Sequence, residues 1–269
     1  MEYNELLSGL RKSTIYNLLE TMSWFSKLFK KEVALEPANL DLLKTDLHSH
    51  LIPAIDDGSK SLEDSINMIR AFKEMGYQKL ITTPHVMSDF YKNTPDIILG
   101  GLEKVKKELE RQNIDIQIEA AAEYYLDETL EPQVKGGKLL TFGKNYLLFE
   151  LPFMTEPPNL ASFIFELQTN GYIPILAHPE RYGFYYKEFE KYRELKEKGV
   201  HLQLNILSLV GHYGPETQKI AERMIDEGLI TFLGSDCHNV MHQKGIEFAR
   251  TKPYFHKLLE SGLLKNAEL

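Results

Sequence analysis

Two histidines stand two residues apart in Asp46-Leu47-His48-Ser49-His50, directly after the apolar run Leu42-Leu43-Lys44-Thr45. If that run is a β-strand, side chains at i and i+2 share a face. His48 and His50 then aim at one point in space, as two imidazoles of one metal site would. Six further groups of ligand type follow: His85, Glu123, Glu150, His178, Asp236 and His238. The set is imidazole and carboxylate without thiolate, which suits Mn, Fe, Zn or Mg in a catalytic site and not a closed structural zinc site. Asp57, in the turn after His50, is a ninth candidate, with Asp56 as the alternative ligand there or as a loop cap. Nine ligands exceed what one ion takes, so two or three divalent ions bridged by carboxylates, Glu150 among them, fit the number. Closely spaced ions depress the pKa of a bridging water and clamp phosphoryl oxygens during in-line attack. Phosphate-ester hydrolysis, among the slowest uncatalysed reactions, needs both. Singly, each residue has an ordinary explanation, a Glu after a strand as a helix cap or a His before a turn as a filler.

What sets them apart is the elements that must position them. Apolar strand-like runs over 43–50, 77–83, 114–122, 146–149, 172–177, 200–205 and 229–234 alternate with helical segments over 61–75, 94–112, 157–170, 187–198 and 215–227. A short helix is expected within 124–134 and a helical tail to Leu264. Ser61-Leu-Glu-Asp64 resembles a capping box, Thr94-Pro95 a helix start, and Gly76, Gly171, Gly199 and Gly228 stops. Seven strand–helix units predict a parallel sheet, either doubly wound or closed into a barrel. No Gly-x-Gly-x-x-Gly follows the first strand, which argues against dinucleotide binding. Apart from Asp57, each ligand candidate falls at or just past a strand's C-terminal end, with Asn205 the nearest equivalent on strand six. In a (β/α) barrel those ends converge on one face.

Arg181, three residues past His178, has the fork geometry to take a phosphate, against the alternative of an ion pair with Glu180. His242 and Lys244 lie just past the last ligand pair, within reach of a phosphate. Tyr124, Tyr125, Tyr182, Phe184, Tyr185 and Tyr186 either line an aromatic-accepting cleft or pack in the core. His201 and His212 lack the strand-end pattern and read as structural. Asp46 shares the inward face with His48 and reads as orienting a ligand histidine. Cys237 is the one cysteine and Gln243 stands six residues on, so a Cys-x5-Arg phosphatase loop is excluded. Cys237 is expected to pack beside the cluster.

A net charge of -8 removes the general electrostatic footprint of a nucleic-acid binder. A single cysteine fits a reducing compartment, the cytoplasm. No apolar stretch approaches the ~20 residues of a membrane span. Residues 1–42 read as an arm and linker and 43–269 as the main domain. The basic amphipathic stretch from Met22 to Lys31 is expected to pack Trp24, Phe25 and Phe29 on the barrel or lie loose, and Met22 is a second candidate start.

DLHSHLIPAIDDG at 46–58, TPHV at 83–86, AAEYYLDE at 121–128, LFELPF at 148–153, AHPERY at 177–182 and GSDCHN at 234–239 together resemble one family. It is that of the metal-dependent protein-tyrosine phosphatases of capsular and exopolysaccharide gene clusters, within the polymerase-and-histidinol-phosphatase (PHP) superfamily. The resemblance spans about residues 43 to 242. It implies a distorted (β/α)7 TIM-like barrel, here with an N-terminal extension, and a three-ion cluster commonly activated by manganese. His48, His50, Asp57, His85, Glu123, Glu150, His178, Asp236 and His238 carry over as ligands. Arg181 carries over as a phosphate contact, and with Asp57 it is the catalytic candidate. The implied substrate is phosphotyrosine on a membrane-associated tyrosine autokinase of polysaccharide export. One departure is the loop over 239–245, which lacks the arginine that family members often carry there. The alternatives are a small-molecule phosphatase of the histidinol-phosphatase kind and a non-catalytic metal-stabilised scaffold.

Overall fold

The computed structural model describes residues 35–137 and 139–269. The expectations about Met22, Trp24, Phe25 and Phe29 lie outside the described residues. Among the described residues nine short strands form two sets. β1 (Thr45–Asp46), β2 (Lys79–Thr82) and β4 (Gln117–Ala120) pair in the order β1-β2-β4. β3 (His85–Val86), β5 (Glu123–Tyr125), β6 (Tyr146–Glu150), β7 (Ile173–Ala177), β8 (His201–Asn205) and β9 (Phe232–Gly234) pair in chain order. Every ladder between these strands is parallel.

The two sets are one ring of seven strand positions. β2 runs into β3 across Thr83-Pro84, where the proline offers no N–H to a ladder, and β4 runs into β5 across Ala121-Ala122. Thr83 N donates to Ser49 O at 2.7 Å, Ala121 N to Thr82 O at 2.9 Å and Glu123 N to Pro84 O at 3.1 Å, carrying the pairing across both breaks. The chain beyond β9 then returns to the chain beyond β1. Asp236 N donates to His48 O at 2.7 Å, His50 N to Cys237 O at 3.0 Å, and Ser49 and Cys237 form a parallel bridge. This is the distorted (β/α)7 arrangement, its distortion placed at the strand ends where function is expected.

Helices connect the strands: α1 (Leu62–Glu74), α2 (Pro95–Arg111), α3 (Leu130–Gly136), α4 (Leu160–Thr169), α5 (Glu190–Glu197), α6 (Pro215–Asp226), α7 (Val240–Ala249) and α8 (Pro253–Glu260). Ser61 and Thr94 cap α1 and α2 through their hydroxyls, as their sequence contexts predict. Two elements differ from expectation. Glu123–Tyr125 continues the ladder instead of opening a helix, and α3 starts at Leu130, after Asp127 has turned the chain by accepting from Thr129 N at 2.9 Å. The helical tail is two helices, because Pro253 disfavours helical backbone at Lys252, which is extended.

Most of the core lies where helices meet strands, around residues such as Phe72, Phe149, Phe163 and Leu204. A second cluster gathers Leu47, Ile81, Leu148, Ile175 and Phe232. Tyr146, Leu148 and Glu150 share a face of β6, so this cluster underlies Glu150. His201 lies here too, between the rings of Tyr146 and Phe232, in the structural role expected of it. Residues 35–42 are tied to the α7–α8 turn: Leu35 N donates to Thr251 O, Ala38 N to Arg250 O, and Leu40 is fully buried. Among the described residues no helix is long and apolar enough to cross a membrane.

Candidate metal centre

The strand ends bring the predicted ligands to one place. His48, His50, Glu123 and Asp236 offer ligand atoms that all lie within 4.8 Å of one another, as do His50, Asp57, His85 and His238, and likewise His85, Glu123 and Glu150. The three groups overlap through His50, His85 and Glu123. His178 joins none of them, although its Nε2 is 3.0 Å from Glu123 Oε1. Asp57 is the most exposed, its Oδ1 3.6 Å from His85 Nε2 and 3.4 Å from His238 Nε2.

Outer contacts set which ring nitrogen faces the centre. Gln203 Nε2 donates to Leu204 O at 2.7 Å, which turns its Oε1 toward His48 Nδ1 at 2.8 Å. When neutral, His48 therefore carries its proton on Nδ1 and presents the Nε2 lone pair inward. Asp56 Oδ2 does the same for His50 Nδ1 at 2.8 Å, and also accepts from His85 N while Oδ1 accepts from Gly58 N. Asp56 is thus both loop cap and histidine orienter. His238 Nδ1 donates to Asp236 O at 2.9 Å. Asp46 makes no hydrogen bond to His48. Its carboxylate accepts from Ser235 N and Oγ, so it braces β1 against the chain after β9 and leaves the orienting role to Gln203.

Close packing needs two glycines. A Cβ at Gly58 would sit 2.4 Å from His50 Cβ, and one at Gly234 2.5 Å from Gln203 Nε2 and 2.8 Å from His48 Cβ. His178 and Asp236 have left-handed backbones, with φ of 34° and 47°. Such conformations are uncommon off glycine and collect at functional sites.

The electrostatics ask for cations. Five buried atoms, His48 Nε2, His50 Nε2, His85 Nδ1, His178 Nδ1 and Glu123 Oε2, make no hydrogen bond. Burial opposes charge on His48, yet the neighbouring Glu123 and Asp236 carboxylates raise its pKa to about 9. The same histidines hold Glu123 and Asp236 well below the usual carboxylate range despite burial. Orphaned buried lone pairs are costly, and a set of imidazoles and carboxylates aimed at shared points fits divalent ions.

A cleft of about 430 Å³ opens above this floor. Arg181 lines it, but its partner is not Glu180. Its Nη1 donates to Asp236 Oδ2 at 3.0 Å, and its guanidinium lies 4.1 Å from the ring centre of Tyr213 and 5.0 Å from that of Phe153. Glu180 is buried below, accepting from Asn205 N and Ser208 Oγ. His242 lines the cleft with Nδ1 3.2 Å from Asp236 O, whereas Lys244 is exposed on α7 and off the lining.

The cleft's aromatic walls are Tyr91, Phe153 and Tyr213. None of the six aromatic residues flagged in the sequence lines it. Tyr124 and Tyr182 are buried, accepting from Leu140 N and Leu151 N, Tyr185 bonds Glu156 and Tyr186 bonds Thr217. Tyr91 stacks on His85 and Phe153 on His178. Phe153 lies in the LFELPF motif, the one signal that pointed to it. Gln203 was visible as a polar residue in an apolar strand. Asn205 donates to Asp236 Oδ2 at 2.8 Å, its tie to the site. His212 meets the ring of His242, closer to the cleft than its structural reading implied. Cys237 is buried beside Met68, its thiol pushed up by burial.

Residues 44–261 match the family model for capsular polysaccharide synthesis, CpsB/CapC. The chain belongs to the CpsB/CapC family. It is 32% identical over 229 residues to the tyrosine-protein phosphatase YwqE of Bacillus subtilis, covering 83% of this chain and 90% of YwqE. It is 27% identical over 201 residues to the tyrosine-protein phosphatase CpsB of Streptococcus agalactiae serotype V, covering 72% and 83%. One solved chain from work on YwqE of B. subtilis and CpsB of Streptococcus pneumoniae, described as metal-dependent tyrosine phosphatases, superposes with a TM-score of 0.72 at 30% identity, over 82% of this chain and 94% of that one. A lactonase, Lmo2620 of Listeria monocytogenes, shares the fold alone, with a TM-score of 0.52 at 13% identity. In this CpsB/CapC protein the six sequence motifs are the segments that deliver the clustered side chains.

Proposed function

We infer that this chain is a metal-dependent protein-tyrosine phosphatase of capsule or exopolysaccharide synthesis. The observation that carries the reading is the trio of overlapping ligand groups, with orphaned ring nitrogens, at the floor of a cleft walled by Arg181, Tyr91 and Phe153. His48, His50, Asp57, His85, Glu123, Glu150, His178, Asp236 and His238 would hold two or three divalent ions, manganese by preference. When bound, such ions lower the pKa of water and offset phosphoryl charge.

The chain's own groups do the rest. Gln203 and Asp56 fix the tautomers of His48 and His50. Arg181 stands at the wall, where its remaining N–H groups can take a phosphoryl oxygen. Asp57, bonded to His238, is held down to about 2, so it stays a carboxylate and serves as a ligand, not as a proton donor. A phenolate leaving group has a conjugate acid near pKa 10, which lightens the need for such a donor. The rings of Tyr91 and Phe153 offer the phenyl ring apolar contact. The substrate we propose is phosphotyrosine on a membrane-associated tyrosine autokinase, met in the cytoplasm.

The test is turnover of a phosphotyrosine peptide by purified protein, with elemental analysis of the same sample. We expect activity stimulated by Mn2+, lost on chelation, unaffected by thiol alkylation because Cys237 is buried, and far above that on histidinol phosphate. Full activity after thorough chelation sinks the mechanism, and preference for histidinol phosphate sinks the substrate.

A further inference from the structure

Twelve large apolar side chains are exposed among the described residues, and five of them, Phe90, Phe153, Met154, Val240 and Met241, belong to the segments that supply lining residues of the cleft. Scattered surface apolar residues are normal, whereas apolar groups gathered at one place mark an interaction site. Met154 at 90% and Phe90 at 76% are the two most exposed of the twelve. The five come from three separate connections, those after β3, β6 and β9. Phe153 lines the cleft, and the other four are chain neighbours of lining residues: Phe90 of Tyr91, Met154 of Phe153, Val240 of Asn239, and Met241 of His242.

The segments bearing Phe90 and Met241 are also held in place. The loop bearing Phe90 is closed by Met87 N to Tyr91 O at 2.9 Å and Tyr91 N to Met87 O at 3.1 Å. Asp127 accepts from Ser88 N, and Tyr91 stacks on His85. Met241 sits in the first turn of α7, where Asn239 accepts from its backbone N–H. None of Phe90, Met154 and Met241 carries the imidazole or carboxylate of the metal centre, so the centre does not explain their presentation.

Resting on the reading of the cleft as a phosphotyrosine site, we propose that Phe90, Met154 and Met241 form a docking rim for an extended peptide whose phosphotyrosine is flanked by apolar side chains. At about 430 Å³ the cleft is near the low end for small-ligand sites, about 300–1,000 Å³. It holds one side chain, and the peptide backbone must pass over the mouth. The residues on either side of the phosphotyrosine then rest on the rim. Methionine is unbranched and polarizable, so the rim selects apolar character and not one sequence. Catalysis comes from the floor, and the rim adds discrimination between a phosphotyrosine carried by a suitable peptide and a bare aryl phosphate.

The experiment compares kcat/KM for an apolar-flanked phosphotyrosine peptide with kcat/KM for phenyl phosphate, in Mn2+-loaded wild type and in the F90S/M154S/M241S variant. The peptide-to-phenyl ratio is expected to fall about tenfold, equal to about 1.4 kcal/mol. An unchanged ratio overturns the proposal. So does an unchanged ratio accompanied by loss of a dimer in light scattering, which assigns the rim to contact between copies. A second measurement needs no variant: wild type should prefer the apolar-flanked peptide over a Ser/Gly-flanked one, and equal turnover overturns the rim. If wild type hydrolyses neither peptide nor phenyl phosphate, the phosphatase reading itself fails.

Discussion

Arg181 has its guanidinium engaged on three sides, by the Asp236 carboxylate and the faces of Tyr213 and Phe153. Asp236 Oδ2 has two donors, Arg181 Nη1 and Asn205 Nδ2, which leaves Oδ1 to face His48 and His50 at 3.4 Å each. On the proposed reading, Arg181 therefore aims a candidate metal ligand as well as offering itself to phosphate. Replacing it with alanine should do more than weaken ground-state binding. We expect Arg181→Ala to lower kcat together with metal affinity, by about 10–100-fold as for other ligand-supporting groups. A rise in KM alone, with the metal titration unmoved, would show that Asn205 suffices to hold Asp236. The residue types of the centre were legible in the sequence because imidazole and carboxylate carry their chemistry in their identity. Their partners were not. Asp236 is 55 residues from Arg181, and Gln203 is 155 residues from His48. Glu180 was the near neighbour by number, yet the fold buries it under β8, where burial raises its pKa to about 7.

At the scale of elements, the strands were readable as apolar runs alternating with helices that glycines stop, and the site as what stands at the strand ends. What escaped was the breaks. Thr83-Pro84 and Ala121-Ala122 interrupt two strands without ending them, so Glu123–Tyr125 resumes a ladder where a helix was expected. Tyr124-Tyr125-Leu126 is a short apolar run, and periodicity cannot separate strand from helix in so few residues. The tight approach of β9 to β8 and to the end of β1 was equally hidden, since it depends on the missing side chain of Gly234. Gly234→Ala should press Gln203 and His48 out of position. Overpacking of this kind costs about 1–3 kcal/mol, and misaimed His48 should weaken metal binding by about 10–100-fold. Urea unfolding and a metal titration check the two effects separately. Wild-type metal affinity in a destabilised variant would mean that the strands yield and the ligands do not.

For the molecule as a whole, the ring closes through the candidate metal centre itself: the bonds joining the first and last strands run from His48 O and His50 N to Asp236 N and Cys237 O. Metal occupancy and barrel stability are then one equilibrium, and pH acts on it with a definite sign. His48 has a folded pKa of about 9 against an ordinary 6.5, and His50 and His85 are raised as well, by carboxylates that outweigh burial. In the chelated protein the folded state thus holds more protons than the unfolded chain between pH 6.5 and 9. That stabilisation is complete below 6.5 and is lost as pH rises through 9, up to about 3 kcal/mol for His48 alone. Bound ions need unprotonated ring nitrogens, so metal affinity rises over the same interval. The difference in Tm between Mn2+-loaded and chelated protein should therefore widen from pH 6.5 to 9. At about 2–4 °C per kcal/mol for a chain of this size, the widening is about 6–12 °C. Differential scanning calorimetry at several pH values reads it directly. A constant or narrowing difference would mean that the histidines of the chelated centre are already neutral, with Glu123 and Asp236 unable to hold their protons.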